Sequence, residues 1–389
     1  MVKQGYKETE IGVIPEDWDI IPANKLMKIE TGSKNTEDKK EDGKFPFFVR
    51  SSKIENIDTY SYDCEAVLTA GDGVGTGKVF HYYNGKFDVH QRVYVMYEFD
   101  DIIGKYFYYY FSENFRDEVA KYTAKSSVDS VRKNMIADML IPVMSNSEQR
   151  EITKVLSDID SLIDSLEKLV EKKKDIKQGV MQKLLTGKQR LPGFTGEWEN
   201  EKLKYLVTMF AGGTPSRQIQ EYYNGEIKWA SVSDITNVSK YIVDTAENIS
   251  KEGLNSSSAK LFPANTILFA MYASIGKCCI SLKPISSSQA ILGLYDFKNC
   301  NMEYLYYWLV SREKDFIDMG QSGTQSNLSK KIMEAIEITL PQIEEQEAIA
   351  SVLSDMDEEI EALEQKLEKY SMLKQGMMQQ LLTGKIRLV

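Results

Sequence analysis

The feature that most constrains this chain is a long internal repeat. Residues 148–191 and 345–388 align without a gap at an offset of 197, with 25 of 44 positions identical. The pair Glu148–Gln149 returns as Glu345–Gln346, Val155–Asp158 as Val352–Asp355, Lys177–Gly179 as Lys374–Gly376, and Leu184–Lys188 as Leu381–Lys385. The stretches preceding each copy have diverged. Trp18 still pairs with Trp198 and Gly32 with Gly212 at an offset of 180, and Gln91 pairs loosely with Gln289 at 198. A repeat this long must be settled before local structure. It sets an order of variable arm, shared segment, variable arm, shared segment, with boundaries at 1–145, 146–190, 191–342 and 343–389.

Both shared segments read as long helices. In the first, Ile152, Ile159, Leu166 and Val180 recur at multiples of seven, interleaved with Val155, Leu162, Leu169 and Ile176. Leu156, Ile163, Val170 and Leu184 widen the stripe, as a bundle helix requires. The second repeats the pattern with Ile349, Met356, Leu363, Tyr370 and Met377, flanked by Leu353, Ile360, Leu367 and Leu381. Residues Ile159, Leu162, Leu166, Leu169, Ile176 and Val180 of the first helix are expected to pack. So are Met356, Ile360, Leu363, Leu367, Leu373 and Met377 of the second. Lys173, Glu359 and Lys366 interrupt the seam, so it is not a strict dimeric zipper. Pro142 and Pro341 precede the helices, and Gly187 and Gly384 follow them, as start and stop signals do. An ordinary core helix in each domain is the alternative, but about 36 residues at 1.5 Å each is roughly 54 Å, beyond the usual globular length. If the second helix runs antiparallel to the first, its end returns near residue 1.

The arms read as mixed, mostly β domains. Short apolar runs at Ala66–Thr69, Arg92–Met96, Thr266–Phe269 and Ala290–Leu294 are bounded by Gly, Asp, Asn and Ser. Aromatic helical segments follow at Lys105–Phe115 and Met302–Val310, and strand-like pieces at Ile136–Pro142 and Ile336–Pro341 close each arm. The expected fold is therefore α+β: two mixed, mostly β domains separated by two long antiparallel helices with pseudo-two-fold symmetry.

Catalytic signals are weak. The run Gly71-Asp72-Gly73-Val74-Gly75-Thr76-Gly77-Lys78-Val79 resembles a phosphate loop, but Asp72 stands where a glycine is required and Val79 where Ser or Thr is. A carboxylate there repels phosphate, so a glycine-rich turn between strands is the better reading. His81 and His90 lack metal-ligand spacing. Glu171–Lys173 and Glu364–Lys366 match a nuclease-like ExK fragment but fall on the charged helix faces. Cys64, Cys278, Cys279 and Cys300 show neither CxxC spacing nor a disulfide framework. Residues 1–10 carry no apolar signal region, and no window is apolar enough for a membrane helix. A cytoplasmic chain with no catalytic residue, no metal and no cofactor of its own is expected.

Polar, flexible segments remain, of the composition that reads base edges. Ser33 and Lys34 answer to Gly212, Gly213, Thr214, Ser216 and Arg217. Lys125, Ser126 and Ser127 answer loosely to Gln321, Thr324, Gln325 and Asn327, and Arg50, Ser51, Lys53 and Gln289 complete the candidates for DNA contact. Gln and Asn pair bidentately with adenine, Arg and Lys with guanine, and Ser or Thr with either. Solvent loops are the competing reading for each residue. The net charge of −10, with no strongly basic arm, argues against a chain that holds DNA alone.

Residues Tyr6–Trp18 (YKETEIGVIPEDW), Leu184–Trp198 (LLTGKQRLPGFTGEW), Gly212–Ser216 (GGTPS) and the LP-then-EQ join at Leu340–Gln346 resemble the specificity subunits of type I restriction–modification enzymes. The resemblance covers the whole chain, although the first arm has Gly32-Ser33-Lys34 where that family's GGTPS form would stand. It implies two target-recognition domains, each reading one half of a bipartite double-stranded DNA site, with the helices as a ruler between half-sites. It also implies docking of two methyltransferase subunits that carry S-adenosylmethionine, and of motor-nuclease subunits in the full complex. Those partners would supply positive charge that this chain lacks. A stand-alone or fused type II restriction–modification enzyme and a coiled-coil protein-binding scaffold are the alternatives.

Overall fold

The computed structural model describes residues 3–123, 130–321 and 327–388. Its contacts divide the chain into two compact units, Met1–Glu167 with Gln365–Val389, and Lys168–Glu364. The architecture is α+β in both. The two shared segments are uninterrupted helices of 39 residues, Asn146–Leu184 and Ile343–Leu381. Each ends just before a glycine at positive φ, Gly187 (+70°) and Gly384 (+68°), the left-handed geometry that terminates a helix without a Cβ penalty.

The first unit is built on a six-stranded sheet in the order Lys28–Thr31, Val93–Tyr97, Tyr62–Ala70, Phe80–Val89, Phe45–Phe48, Glu55–Ile57. All pairings are antiparallel except Phe45–Phe48 with Phe80–Val89. The helix Gly104–Thr123 lays Tyr106, Phe107, Phe111 and Phe115 against it, with Phe80 edge-on to Phe111 and Phe115. Ile152 and Leu156 from the first long helix, Met378 and Leu381 from the second, and Leu382 just past its end enter the same core. Lys374 pairs with Asp160 at 2.5 Å. The helices therefore run antiparallel here, and the chain end does return to its beginning: the Tyr6 hydroxyl donates to the Gly384 carbonyl at 2.9 Å.

The second unit carries a five-stranded sheet, Thr208–Ala211, Ile291–Tyr295, Thr266–Ala270, Cys278–Ser281, Tyr241–Ile242. A three-stranded sheet, Glu247–Ile249, Tyr223–Ala230, Ser286–Ser287, completes it. Its aromatic helix Met302–Ser311 buries Tyr304, Tyr306, Tyr307 and Trp308. Met181 and Leu184 of the first long helix, with Leu185 just past its end, join Ile349, Ala350 and Leu353 of the second in one core. Lys177 pairs with Asp357 and Lys173 with Glu359, again antiparallel.

Two expectations change. Ile136 lies in a short helix, Lys133–Ala137, and the closing strand is only Leu140–Val143, because Asp138 and Met139 turn the chain between them. The apolar rows of the long helices are not equally covered. Ile152, Leu156, Ile159, Leu166, Val170 and Ile360 are buried, whereas Leu162, Leu169, Ile176 and Leu373, expected to pack, are exposed. Both rows have heptad spacing, but the face turned to each arm and to the neighbouring helix covers one row and leaves the other to solvent. Val180, Met356, Leu363, Leu367 and Met377 are half-buried.

Candidate nucleic-acid interface

In the first arm a loop leaves the edge strand Lys28–Thr31 at Gly32 and is fastened to the turn that precedes Val93–Tyr97. The Lys34 amide donates to the Val89 carbonyl (3.2 Å), and the Gln91 amide to the Lys34 carbonyl (2.8 Å). Gln91 Nε2 donates to Asn35 Oδ1. Gly32 is required by close approach: a Cβ there would stand 2.0 Å from the Val89 carbonyl oxygen. Ser33 is exposed, and the Lys34 ammonium is 3.9 Å from the buried Asp88.

The second arm repeats the device. The Gly212 amide donates to the Ile291 carbonyl (2.9 Å), the Gly213 amide to the Ser287 carbonyl (2.8 Å), and the Thr214 hydroxyl to Gln289 Oε1. Trp229 Nε1 supports the loop from below by donating to the Gly213 carbonyl at 2.9 Å. Gly32 answers to Gly212 and Gln91 to Gln289, so the faint pairs of the repeat mark one shared construction: a glycine loop clasped to a glutamine turn at a sheet edge.

The structure brings some candidates together and leaves others apart. Arg50, Ser51 and Lys53 form an exposed turn beside the first clasp; the Ser51 hydroxyl donates to the Lys53 carbonyl (3.2 Å), and His81 Nε2 lies 3.3 Å from the Ser51 carbonyl. Burial holds the His81 imidazole below its ordinary pKa. In the second arm Gly212, Gly213, Thr214 and Gln289 converge, with Ser216 exposed alongside. Arg217 lies over the Tyr223 and Trp229 rings (4.5 and 5.2 Å) and makes a two-pronged pair with Glu247 (2.7 Å each). Its hydrogen bonds hold the Glu247 carboxyl below the usual range. Gln321 ends the helix Glu313–Gln321, and Asn327 is exposed next to Leu328, whose amide donates to the Met271 carbonyl. Lys125, Ser126, Ser127, Thr324 and Gln325 lie outside the described residues.

Sequence reasoning passed over the residues that fasten the long helices to the arms. Glu148 is 1% exposed and accepts from Arg387 Nη2 (2.8 Å) and Trp18 Nε1 (3.2 Å). Glu345, as buried, takes a fork from Arg190, both bonds 2.5 Å. Each arginine also lies over a tryptophan, Arg387 on Trp18 and Arg190 on Trp198 (5.6 Å each). Gln149 and Gln346 tie the helix start to the arm, accepting from the Ile103 and Asn301 amides at 2.8 Å. The signal was present in the repeat, since Arg190 and Arg387 occupy matching positions after LLTGK. Among the described residues no helix is long and apolar enough to cross a membrane, and no group of three His, Cys, Asp or Glu is placed to hold a metal.

Comparison with known proteins identifies the family. The family model for the type I restriction modification DNA specificity domain matches twice, at residues 15–178 and 195–369. The type I restriction enzyme MjaVIII specificity subunit of Methanocaldococcus jannaschii is 26% identical over 99% of this chain and 96% of its own length. The EcoR124I/EcoR124II specificity subunit of Escherichia coli is 27% identical over 56% of this chain and 53% of its own. The crystal structure of a type I restriction–modification S subunit from M. genitalium superposes with a TM-score of 0.65 at 15% identity, covering 94% of this chain and 96% of that one. A chain of another type I restriction–modification system gives 0.57 at 14%, covering 96% and 99%. At those identities the structures speak for the fold alone. With both arms and both long helices matched, the chain belongs to the type I restriction–modification DNA specificity family and is a specificity subunit built from two such domains.

Proposed function

We propose that each arm reads one half of a bipartite double-stranded DNA site through its clasped glycine loop, and that the chain performs no chemistry itself. The observation that carries this is the duplicated clasp, Gly32–Asn35 with Gln91 and Gly212–Thr214 with Gln289. Small residues let backbone approach phosphate, and the flanking Ser, Thr, Gln, Lys and Arg suit base edges.

The long helices set the gap between half-sites and dock two methyltransferase subunits, which bring S-adenosylmethionine and much of the positive charge needed on DNA. Motor-nuclease subunits join that assembly. A duplicated bare patch supports docking. Ile176 and Leu373 occupy matching positions in the repeat and are 44% and 47% exposed. One helical turn on, Gly179 and Gly376 sit in helix interiors with nothing within 4 Å of a would-be Cβ. An interior helical glycine weakens a helix, and none of the described residues packs on either one. Two copies of one partner approaching two like patches explain both.

The test is methylome sequencing of a host carrying this chain and its methyltransferase partner, before and after replacing residues 195–342 with another arm. The expected result is a two-part motif of which one part alone changes. A change in both parts, or methylation by the purified chain without its partner, overturns the proposal.

A further inference from the structure

The glycine-rich run Gly71–Gly77, which binds no phosphate on the reading above, has a definite place in the first arm. Gly71 and Gly75 let it press between two neighbouring segments. A Cβ on Gly71 would stand 2.9 Å from the Arg92 carbonyl oxygen, and one on Gly75 2.4 Å from that of Arg50. The Gly71 amide donates to the Arg92 carbonyl at 2.7 Å. The outcome is that Asp72 lies between two arginines. Its Oδ1 is 3.0 Å from Arg50 Nη1, and its Oδ2 is 3.7 Å from Arg92 Nε. The arginine side chains are 47% and 65% exposed, on the edge that holds the Lys34–Gln91 clasp.

Two neighbouring arginines alone would suit a phosphate. A carboxylate between them does not, because it repels the backbone and halves the local positive charge. His90 adds none: burial above all, then Arg50, keeps its imidazole below the ordinary value, and its Nδ1 accepts from the Arg92 amide at 3.0 Å. The Arg92 fork beside Asp72 offers two donors and an acceptor, the complement of the two acceptors and one donor of a G·C pair, while Arg50 braces the carboxylate from its other side. An arginine fork pairs with guanine O6 and N7, and an aspartate accepts from cytosine N4. Arg92 approaches Asp72 through Nε at 3.7 Å, which leaves its Nη1 and Nη2 donors for a base.

Resting on the proposal that the arms read DNA, we infer that Arg92 and Asp72 read a G·C pair in the first arm's half-site, Arg92 by its fork on the guanine and Asp72 by accepting from the cytosine, with Arg50 holding the carboxylate in place. The glycine run exists to place that carboxylate.

The experiment uses the complex of this chain with its methyltransferase partner. The first arm's half-site is the one that survives replacement of residues 195–342. It is expected to contain a G·C pair at which every substitution cuts methylation. Arg92→Lys keeps the charge but loses the planar fork, so discrimination at that pair falls by about tenfold or more, where a phosphate contact would be retained. Asp72→Asn is expected to relax the same position and no other. A first half-site with no invariant G·C pair, or an Arg92→Lys variant that discriminates as the parent does, overturns this inference while leaving DNA reading intact. A complex with no sequence-specific methylation overturns both.

Discussion

Arg387, near the end of the chain, closes on Glu148, the first residue of the duplicated Glu–Gln pair, with Nη2 2.8 Å from Oε2. The same guanidinium reaches Asp17 at 2.9 and 2.8 Å, so one side chain joins the start of the chain, the start of the first long helix and the end of the second. Arg190 makes the corresponding bond to Glu345. In both units the arginine of one repeat copy satisfies the buried glutamate of the other.

Among the described residues, removing that arginine leaves a carboxylate 1% exposed with only the Trp18 N–H as donor. Arg387→Ala is therefore expected to destabilise the first unit by about 2–4 kcal/mol, within the range for breaking a buried pair from one side. Arg190→Ala should act alike on the second unit. Urea unfolding of each variant checks this; a loss below about 0.5 kcal/mol, the size of a surface pair, would contradict it.

Tyr109 donates to Asp160 and Tyr307 to Asp357, each at 2.6 Å, joining the aromatic helices to the long ones. Tyr109→Phe removes one bond to a carboxylate, worth about 1–2 kcal/mol. Tyr307→Phe should cost more, because the buried Lys240 ammonium also rests 2.9 Å from the Tyr307 hydroxyl. Equal effects of the two substitutions would show that Lys240 gains little from that oxygen.

Gly179→Ala and Gly376→Ala are expected to stabilise the isolated chain by about 0.5–1 kcal/mol each, because a helical glycine with open space beside it gains from a methyl group. Both should weaken assembly with the methyltransferase partner, as should Ile176→Glu and Leu373→Glu. Thermal unfolding of the chain and gel filtration of the complex read the two effects separately. An unaltered complex would remove the docking surface from consideration.

The Arg217–Glu247 pair has a pH signature. Its hydrogen bonds depress the Glu247 carboxyl in the folded state relative to its ordinary 4.5, so the pair's contribution is complete above that value and is lost as pH falls through the lower folded value. In Arg217→Ala the carboxyl should titrate nearer the ordinary value, which an NMR titration of the Glu247 side chain measures.

Burial pushes the Cys279 and Cys300 thiols up to about 12, and Cys278 higher still. They remain protonated and shielded at neutral pH, whereas Cys64 is half-buried. A thiol reagent is expected to modify Cys64 first in the native protein and the other three only on unfolding. Rapid native labelling at Cys279 would contradict the sheet placement of Cys278–Ser281.

Much of this protein is determined by sequence alone. The repeat at an offset of 197 sets two copies of a long helix, Gly187 and Gly384 end them, and the motifs from Tyr6 to Trp18 and from Leu184 to Trp198 carry the family. These signals are local, and periodicity and stop residues act wherever they stand. Tertiary structure alone decided which apolar row is covered, since the rows through Ile152 and through Leu162 share one spacing and differ only in what faces them. It also decided that Arg387 meets Glu148 and that Asp72 lies between Arg50 and Arg92. Those partners are far apart in the chain, and the energy of a charge depends on distance through space, which only the packed fold sets.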